Sequence, residues 1–528
     1  MPKKYLMMAS RVALASGVSA VLFMASHVTS AEVNAEANGL RAAPRNPAFE
    51  QWLERKASGV KEESYSAEAP LGFIPPPIQI PAAKTPLSLR SALPATFDLR
   101  TSTPNGVTLV KNQGWCGSCW AFGTYGSLES YIKYKLGSVT WDFSEQDLNQ
   151  YHGFDLRECE GGQHFMSTAY LARWNGPVNE SEVPYPYLAT AADEDAETLY
   201  DEESGLEPEA ALNPEMVAEQ EADQGQNPEA SPGVIGRKHI QNVYFLPKRA
   251  SSTDNTRIKD AVRSYGAVTI SFQWEPYYYN QTTAAFYSPV GGENHMVAIV
   301  GWDDSYPKSS FKVGSQPPAN GAFIVKNSWG TAWGKSGYFY ISYYDKSLMP
   351  NASFYNAEAT SNFTRAYEYD PLGWTGSWGF ESTTAWFSNI FKAASNAYQI
   401  KAVGFYTLVP ASTYTVYVYN NVANGKPRSG TLVATKTGTI TNPGYNTVRF
   451  ATPAGVTPLA RFSVVVKLTT PGDKSPIPVE ERIAGYSTAA SAYEGQSFVS
   501  PNGTFWQDLT TLKNENNTNV ALKAFGGL

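Results

Sequence analysis

The sequence predicts an α+β domain in two halves followed by an all-β sandwich, and three observations carry the prediction. The main helical periodicity begins at Ser118; beyond Gly236 the apolar residues gather into short runs; from about Arg365 many short alternating runs follow one another with Pro, Gly and Asn between them. Length agrees, since 528 residues exceed one ordinary core. With 32 Tyr, 25 Phe and 13 Trp the chain has a folded, strand-prone composition rather than a disordered one, except in one acidic segment.

The N-terminus carries Lys3, Lys4 and Arg11, an apolar run from Val12 to Ala25, and small residues at Thr29, Ser30 and Ala31. This pattern predicts a secretory signal peptide over 1–31. The run has fourteen residues interrupted by Gly17, short of the roughly 20 that span a bilayer, so no transmembrane anchor is expected. The mature protein is expected to be secreted or held at the cell envelope.

Residues 32–92 hold one helix, Pro47 to Lys56, with Phe49, Trp52 and Leu53 at helical spacing. Then Ile74-Pro75-Pro76-Pro77-Ile78-Gln79-Ile80-Pro81 is held extended by its prolines. Such a stretch builds no core of its own; it is a linker or a pro-segment laid across the next domain.

Phe122, Tyr125, Leu128 and Ile132 recur at three and four residues and Gly137 closes the run, which puts Cys119 in the first turn of a helix. Unpaired N–H groups and the positive end of the helix dipole there favour a thiolate. Ser144-Glu145-Gln146-Asp147 reads as a capping box opening a second helix.

An acidic insert follows over 190–232. Between Asp193 and Glu229 it holds fourteen carboxylates and no Lys or Arg, so the net charge of -7 becomes about +7 for the remainder. Its carboxylates lack EF-hand spacing, and no metal or other cofactor is expected.

Asn294 to Trp302, Gly321 to Gly330 and Gly337 to Tyr343 read as strands. In the last region Tyr414, Val416 and Val418 share one strand face, as do Phe462, Val464, Val466 and Leu468, with Lys467 turned away. Strands this dense with no long helix predict a separate sandwich domain over 365–528.

Three cysteines in an oxidising compartment resolve into one disulfide and one free thiol. Trp115-Cys116-Gly117-Ser118-Cys119 suits two chemistries: a redox dithiol, or one structural cysteine beside one catalytic cysteine. A catalytic thiolate needs a base to take its proton. His27 lies in the signal peptide, His152 and His164 lie near Cys159, and His239 follows the insert; His295 begins an apolar strand, a rigid place from which to aim an imidazole, and Asn327 ends another.

Four ordered blocks carry a likeness. Gln113-Gly114-Trp115-Cys116-Gly117-Ser118-Cys119-Trp120-Ala121-Phe122, Cys159-Glu160-Gly161-Gly162, Asn294-His295-Met296-Val297-Ala298-Ile299-Val300-Gly301-Trp302 and Asn327-Ser328-Trp329-Gly330-Thr331-Ala332-Trp333-Gly334 resemble the successive signatures of papain-family cysteine peptidases. The resemblance starts at Leu93 and implies a two-lobed peptidase over 93–360, with a helical left lobe and a β-barrel-like right lobe. It implies Cys119 as nucleophile, His295 as base and acid, Asn327 as the residue orienting the imidazole, and Gln113 as the side-chain oxyanion donor. It also implies a Cys116–Cys159 disulfide and substrate contacts at Gly161, Gly162, Gly117, Ser118, Asn294 and Trp329. The implied activity is peptide-bond hydrolysis through an acyl-thioenzyme by an enzyme made as a zymogen, with protein or peptide substrates and no nucleic acid.

Departures limit the carry-over. Gln163 and His164 are polar where papain has an aromatic-proline pair, the family's other common disulfides lack their cysteines, and residues 32–92 lack the long helical pattern of papain zymogens. The last domain resembles, through Gly404-Phe405-Tyr406-Thr407, Pro443-Gly444-Tyr445-Asn446 and Gln496-Ser497-Phe498-Val499-Ser500, the lectin-like sandwich that follows some bacterial and archaeal peptidases. That likeness implies glycan or cell-surface contact, for which Trp506 is an exposed aromatic candidate, or a clamp on the peptidase. Two rival readings remain: a thiol-disulfide oxidoreductase using Cys116 and Cys119, and a carbohydrate-binding or adhesion protein with a silent peptidase domain.

Overall fold

The computed structural model describes residues 39–59, 65–66, 69–82, 92–137, 140–187, 230–395, 398–407, 409–512 and 517–527. The expected signal peptide and residues 190–229 of the acidic insert lie outside them.

Helix α1 (Pro47–Ala57) opens on Asn46, whose side chain accepts from Ala48 N, with Pro47 at the first position, where a missing N–H costs nothing. Helix α2 (Cys119–Lys135) is buried along Cys119 to Ile132, so it is a central helix enclosed on all sides rather than a half-wetted one. Helix α3 (Glu145–Gln150) has half of the expected capping box. Ser144 Oγ accepts from Asp147 N at 3.0 Å, but Ser144 N donates to Val178 O at 3.0 Å and the Asp147 carboxylate takes the Tyr170 hydroxyl instead. Helix α4 (His164–Ala172) is capped by Gln163, whose Oε1 accepts from Phe165 N.

The second half of this domain is built on a sheet whose central strand, His295–Asp303, runs antiparallel between Val268–Phe272 and Ala322–Lys326. These strands are almost wholly buried, which explains their near-continuous apolar sequence. A further helix beyond those expected, α5 (Thr256–Tyr265), packs beside them through Ile258, Ala261 and Val262. One hydrophobic core runs from α2 through this sheet.

The sandwich has two six-stranded sheets. Phe462, Val464, Val466 and Leu468 face its core and Lys467 is exposed, while Val465 packs on the opposite face with Ile390, Tyr419, Val422 and Phe498. The expected separateness of this domain holds in sequence only. One of its sheets is completed by two strands of the preceding domain, His239–Phe245 and Ala352–Glu358, with Gly444 opposite Tyr244, Tyr445 opposite Val243 and Asn446 opposite Asn242. The N-terminal segment also adds a strand, Arg41–Ala42, to a small sheet of the sandwich, opposite Gly379 and Trp378. Among the described residues no helix is long and apolar enough to cross a membrane.

Candidate active site

The site forms where α2 begins and the His295–Asp303 strand passes over it. Cys119 Sγ is buried and accepts a hydrogen bond from Met296 N at 3.3 Å. The neighbouring His295 is fully buried; its Nε2 lies 2.9 Å from Asn327 Oδ1, and its ring stacks on Trp329 at 4.6 Å between centroids. Asn327 Oδ1 also accepts from Ser328 N at 2.9 Å, which makes it the acceptor for the ring N–H. In the neutral ring Nδ1 is then the acceptor, and it is buried without a hydrogen-bond partner, free to take a proton.

Gln113 is fully buried. Its Nε2 donates to Cys116 O at 2.8 Å and to Leu71 O at 3.1 Å, and its Oε1 accepts from Ser328 Oγ at 2.6 Å. Ser328 therefore fixes which end of the amide points outward as donor. Nothing in the sequence signals this role: Ser328 follows Asn327 directly, but the partner that reveals its function is far away along the chain.

The N-terminal segment lies in the cleft. Gly72 N and Phe73 N both approach Asn294 O, at 3.3 and 3.1 Å; Gly162 N donates to Gly72 O at 2.9 Å and Ile74 N to Gly162 O at 3.2 Å, so Phe73 pairs with Gly162 in the parallel sense. Close approach demands glycine here. A Cβ on Gly72 would stand 2.1 Å from Gly117 O, and one on Gly162 would stand 2.4 Å from the Trp120 ring. Gly117, Gly161, Gly162 and Asn294 thus all face the segment. Ser118 does not present its side chain to it: the hydroxyl is buried against Tyr185 Oη at 2.6 Å.

The electrostatics differ from the expectation of a lowered thiol pKa. Burial pushes the Cys119 thiol up from 9.0 to about 12, against the pull of the Met296 and Trp120 N–H groups. Burial likewise pushes His295 down to about 4, opposed by its bond to Asn327. Both groups are out of water, and burial favours their neutral forms.

Cys116 is bonded to Cys159 and Cys119 is free, which removes the Cys116–Cys119 redox pair. Among the described residues the other histidines lie elsewhere: His152 Nδ1 accepts from Phe154 N at 3.0 Å, His239 stacks on Trp174 and pairs with Asn362, and His164 packs on Phe165 and Phe245. Gln163 caps α4 and gives its Nε2–H to Tyr486 Oη of the sandwich at 2.8 Å.

Comparison with known proteins gives the family. The family model for papain family cysteine proteases matches residues 93–357, half of the chain, and that for a lectin-like domain matches residues 366–526. A viral cathepsin of Choristoneura fumiferana defective polyhedrosis virus is 29% identical over 248 residues, which cover 47% of this chain and 59% of that protein. Pro-cathepsin H of Mus musculus is 26% identical over 255 residues, 47% of this chain and 60% of that protein. The chain thus spans about 60% of the length of these curated relatives. The crystal structure of the cysteine protease and lectin-like domains of Cwp84, a surface layer associated protein of Clostridium difficile, superposes with a TM-score of 0.72 at 26% identity, covering 92% of this chain and 98% of that one. The same protease after propeptide cleavage gives 0.65 over 80% of this chain and 97% of that one, also at 26% identity. With its thiol, imidazole and amide brought together and a lectin-like region behind them, the chain belongs to the papain family of cysteine proteases.

Proposed function

We propose that this protein is an exported cysteine endopeptidase, made as a zymogen, whose pro-segment occupies the cleft until it is cut away. The observation that carries the reading is the position of the Leu71 carbonyl on Gln113 Nε2, directly beside Gly72 and Gly117 and next to the start of α2. A main-chain carbonyl already rests on the donor where a substrate oxyanion would form.

Once the pro-segment leaves, water returns to Cys119 and His295, and the pair transfers a proton from sulfur to Nδ1. The thiolate attacks the scissile carbonyl, and the oxyanion is held by Gln113 Nε2 and the N–H of Cys119 at the helix start. The imidazolium returns its proton to the leaving amine as the C–N bond breaks, leaving a thioester. His295 then takes a proton from water, whose oxygen displaces the sulfur to give the carboxylic acid and restore the thiol. Asn327 keeps the ring oriented without adding charge, and Trp329 covers that contact. Gly161 and Gly162 offer backbone groups to the substrate chain, as Gly162 does now to residues 72–74.

The related Cwp84 is surface layer associated, and the C-terminal sandwich is proposed to hold this enzyme near an envelope or glycan surface while clamping the pro-segment. The expected result for Cys119→Ala is loss of peptide cleavage by about 10⁶-fold with an unchanged melting temperature. Undiminished turnover by this variant would sink the reading.

A further inference from the structure

Helix α1 reaches a seat that neither domain makes alone. Phe49 and Trp52 meet the edge of Tyr486 at ring-centroid distances of 4.9 and 6.3 Å, and Phe154 of the protease domain meets the same ring at 4.8 Å. One turn further, Lys56 Nζ donates to Asp155 O at 2.8 Å and to Gly485 O at 3.0 Å, with the Glu160 carboxylate at 3.9 Å. Phe49, Trp52 and Lys56 stand at i, i+3 and i+7 and so share one helix face.

The seat is held by contacts that do not involve α1. Tyr486 is fixed by Gln163 at its hydroxyl and by Asp155 N at its carbonyl, 2.9 Å away, while Thr488 donates to the Asp155 carboxylate. Removing α1 therefore uncovers an aromatic floor and a carbonyl-and-carboxylate rim already in place. A short length of chain also joins it to the cleft. Asn46 bonds Pro76 O and Pro77 O, and from there to Gly72 is four or five residues, about 14 to 17 Å when extended.

We propose that in the trimmed enzyme this seat is an exosite for protein substrates. It takes an amphipathic helix presenting two aromatic side chains three positions apart and a lysine or arginine four positions later. The present occupant supplies the pattern, and the rim supplies the charge complementarity. The proposal rests on the peptidase reading. Its distinct content is that the C-terminal domain, through Gly485 and Tyr486, takes part in choosing substrates.

The test uses the full chain, folded first and then cut so that residues 1–92 are released. Two substrates are compared: a short fluorogenic peptide, and the same peptide joined by a flexible linker to the sequence of residues 44–59. The joined substrate is expected to show a KM lower by about 10-fold or more at equal kcat, because the second contact becomes intramolecular. Tyr486→Ala should erase the advantage, as should W52A or K56E in the tethered sequence, changes that leave the enzyme's own folding untouched. Equal KM for the two substrates, or an advantage that survives those changes, overturns the proposal. If neither substrate is cut, the peptidase reading fails, and fluorescence anisotropy of labelled peptide 44–59 still decides the seat: saturable binding supports it and no binding overturns it.

Discussion

Two sets of polar side chains are taken fully out of water, one where α2 meets the His295–Asp303 strand and one where the sandwich meets α4. At the second, Lys523 Nζ bonds the Glu368 carboxylate and, at 3.0 Å, both the carbonyl and the carboxylate of Asp370. Glu480 stands nearby and accepts from Leu372 N, and Arg173 at the end of α4 donates to Pro371 O and Tyr151 O. Burial pushes Asp370 up to about 7 despite Lys523. Burial works to lower Lys523, but Asp370 and Glu368 outweigh it and its pKa ends above the ordinary value. Here charges close upon one another. At the site around Cys119, no full charge balances another: thiol and imidazole are neutral, and His295 Nδ1 and Asn327 Nδ2 are buried without partners. The contrast teaches that equal burial can be met in two ways. The junction sets a buried cation against carboxylates, although Asp370 Oδ1, Glu480 Oε2 and Arg173 Nε are left without hydrogen-bond partners there, whereas the reactive site holds groups that carry no charge while they stay buried.

The sharpest way to break this comparison is to uncover Cys119. With a thiol pKa of about 12, the thiolate fraction at pH 7 is about 10⁻⁵, so alkylation of the full chain should be slow and rise about tenfold per pH unit through neutrality. After release of residues 1–92, labelling by iodoacetamide should accelerate by about 10³-fold or more and become flat across neutral pH; equal rates before and after would show that the segment does not control the thiol. Next in size is Lys523→Met, which leaves Glu368 and Asp370 buried without their cation. A loss of about 3 to 5 kcal/mol is expected from urea unfolding. A neutral result would mean that the junction tolerates an open charge as the active site tolerates open neutral groups. Smallest is Gln113→Ala, expected to lower kcat of the trimmed enzyme by about 10² to 10³, or 2.7 to 4 kcal/mol in the transition state, while KM moves little. A matching rise in KM would make Gln113 a ground-state contact instead.

What was legible in the chain was what is written locally. The helix at Cys119, the strand at His295, the strand that ends just before Asn327 and the free thiol left by Cys116–Cys159 all follow short signatures, and the structure places them together. The stripe Phe49, Trp52, Leu53 announced α1, but nothing announced its seat, because Tyr486 belongs to a loop with no periodicity and meets α1 across the whole length of the protein. Ser328 escaped for the same reason. The helix start that lowers the Cys119 thiol is visible in sequence, whereas the burial that outweighs it is a tertiary effect and is not. Helix α5 carries too short an apolar stripe to stand out beside the strands that flank it.

The sheet shared between the domains has a bearing on how this chain can be handled and how it can fail. His239–Phe245 is a middle strand only because Gly444–Val456 lies against one side of it and Ala352–Glu358 against the other. Proteolysis between the two family regions, followed by loss of the C-terminal piece, would turn a strand interior into a bare, mostly apolar rim. The fragment that keeps Cys119, His295 and Asn327 would then be the adhesive one, prone to stack with copies of itself.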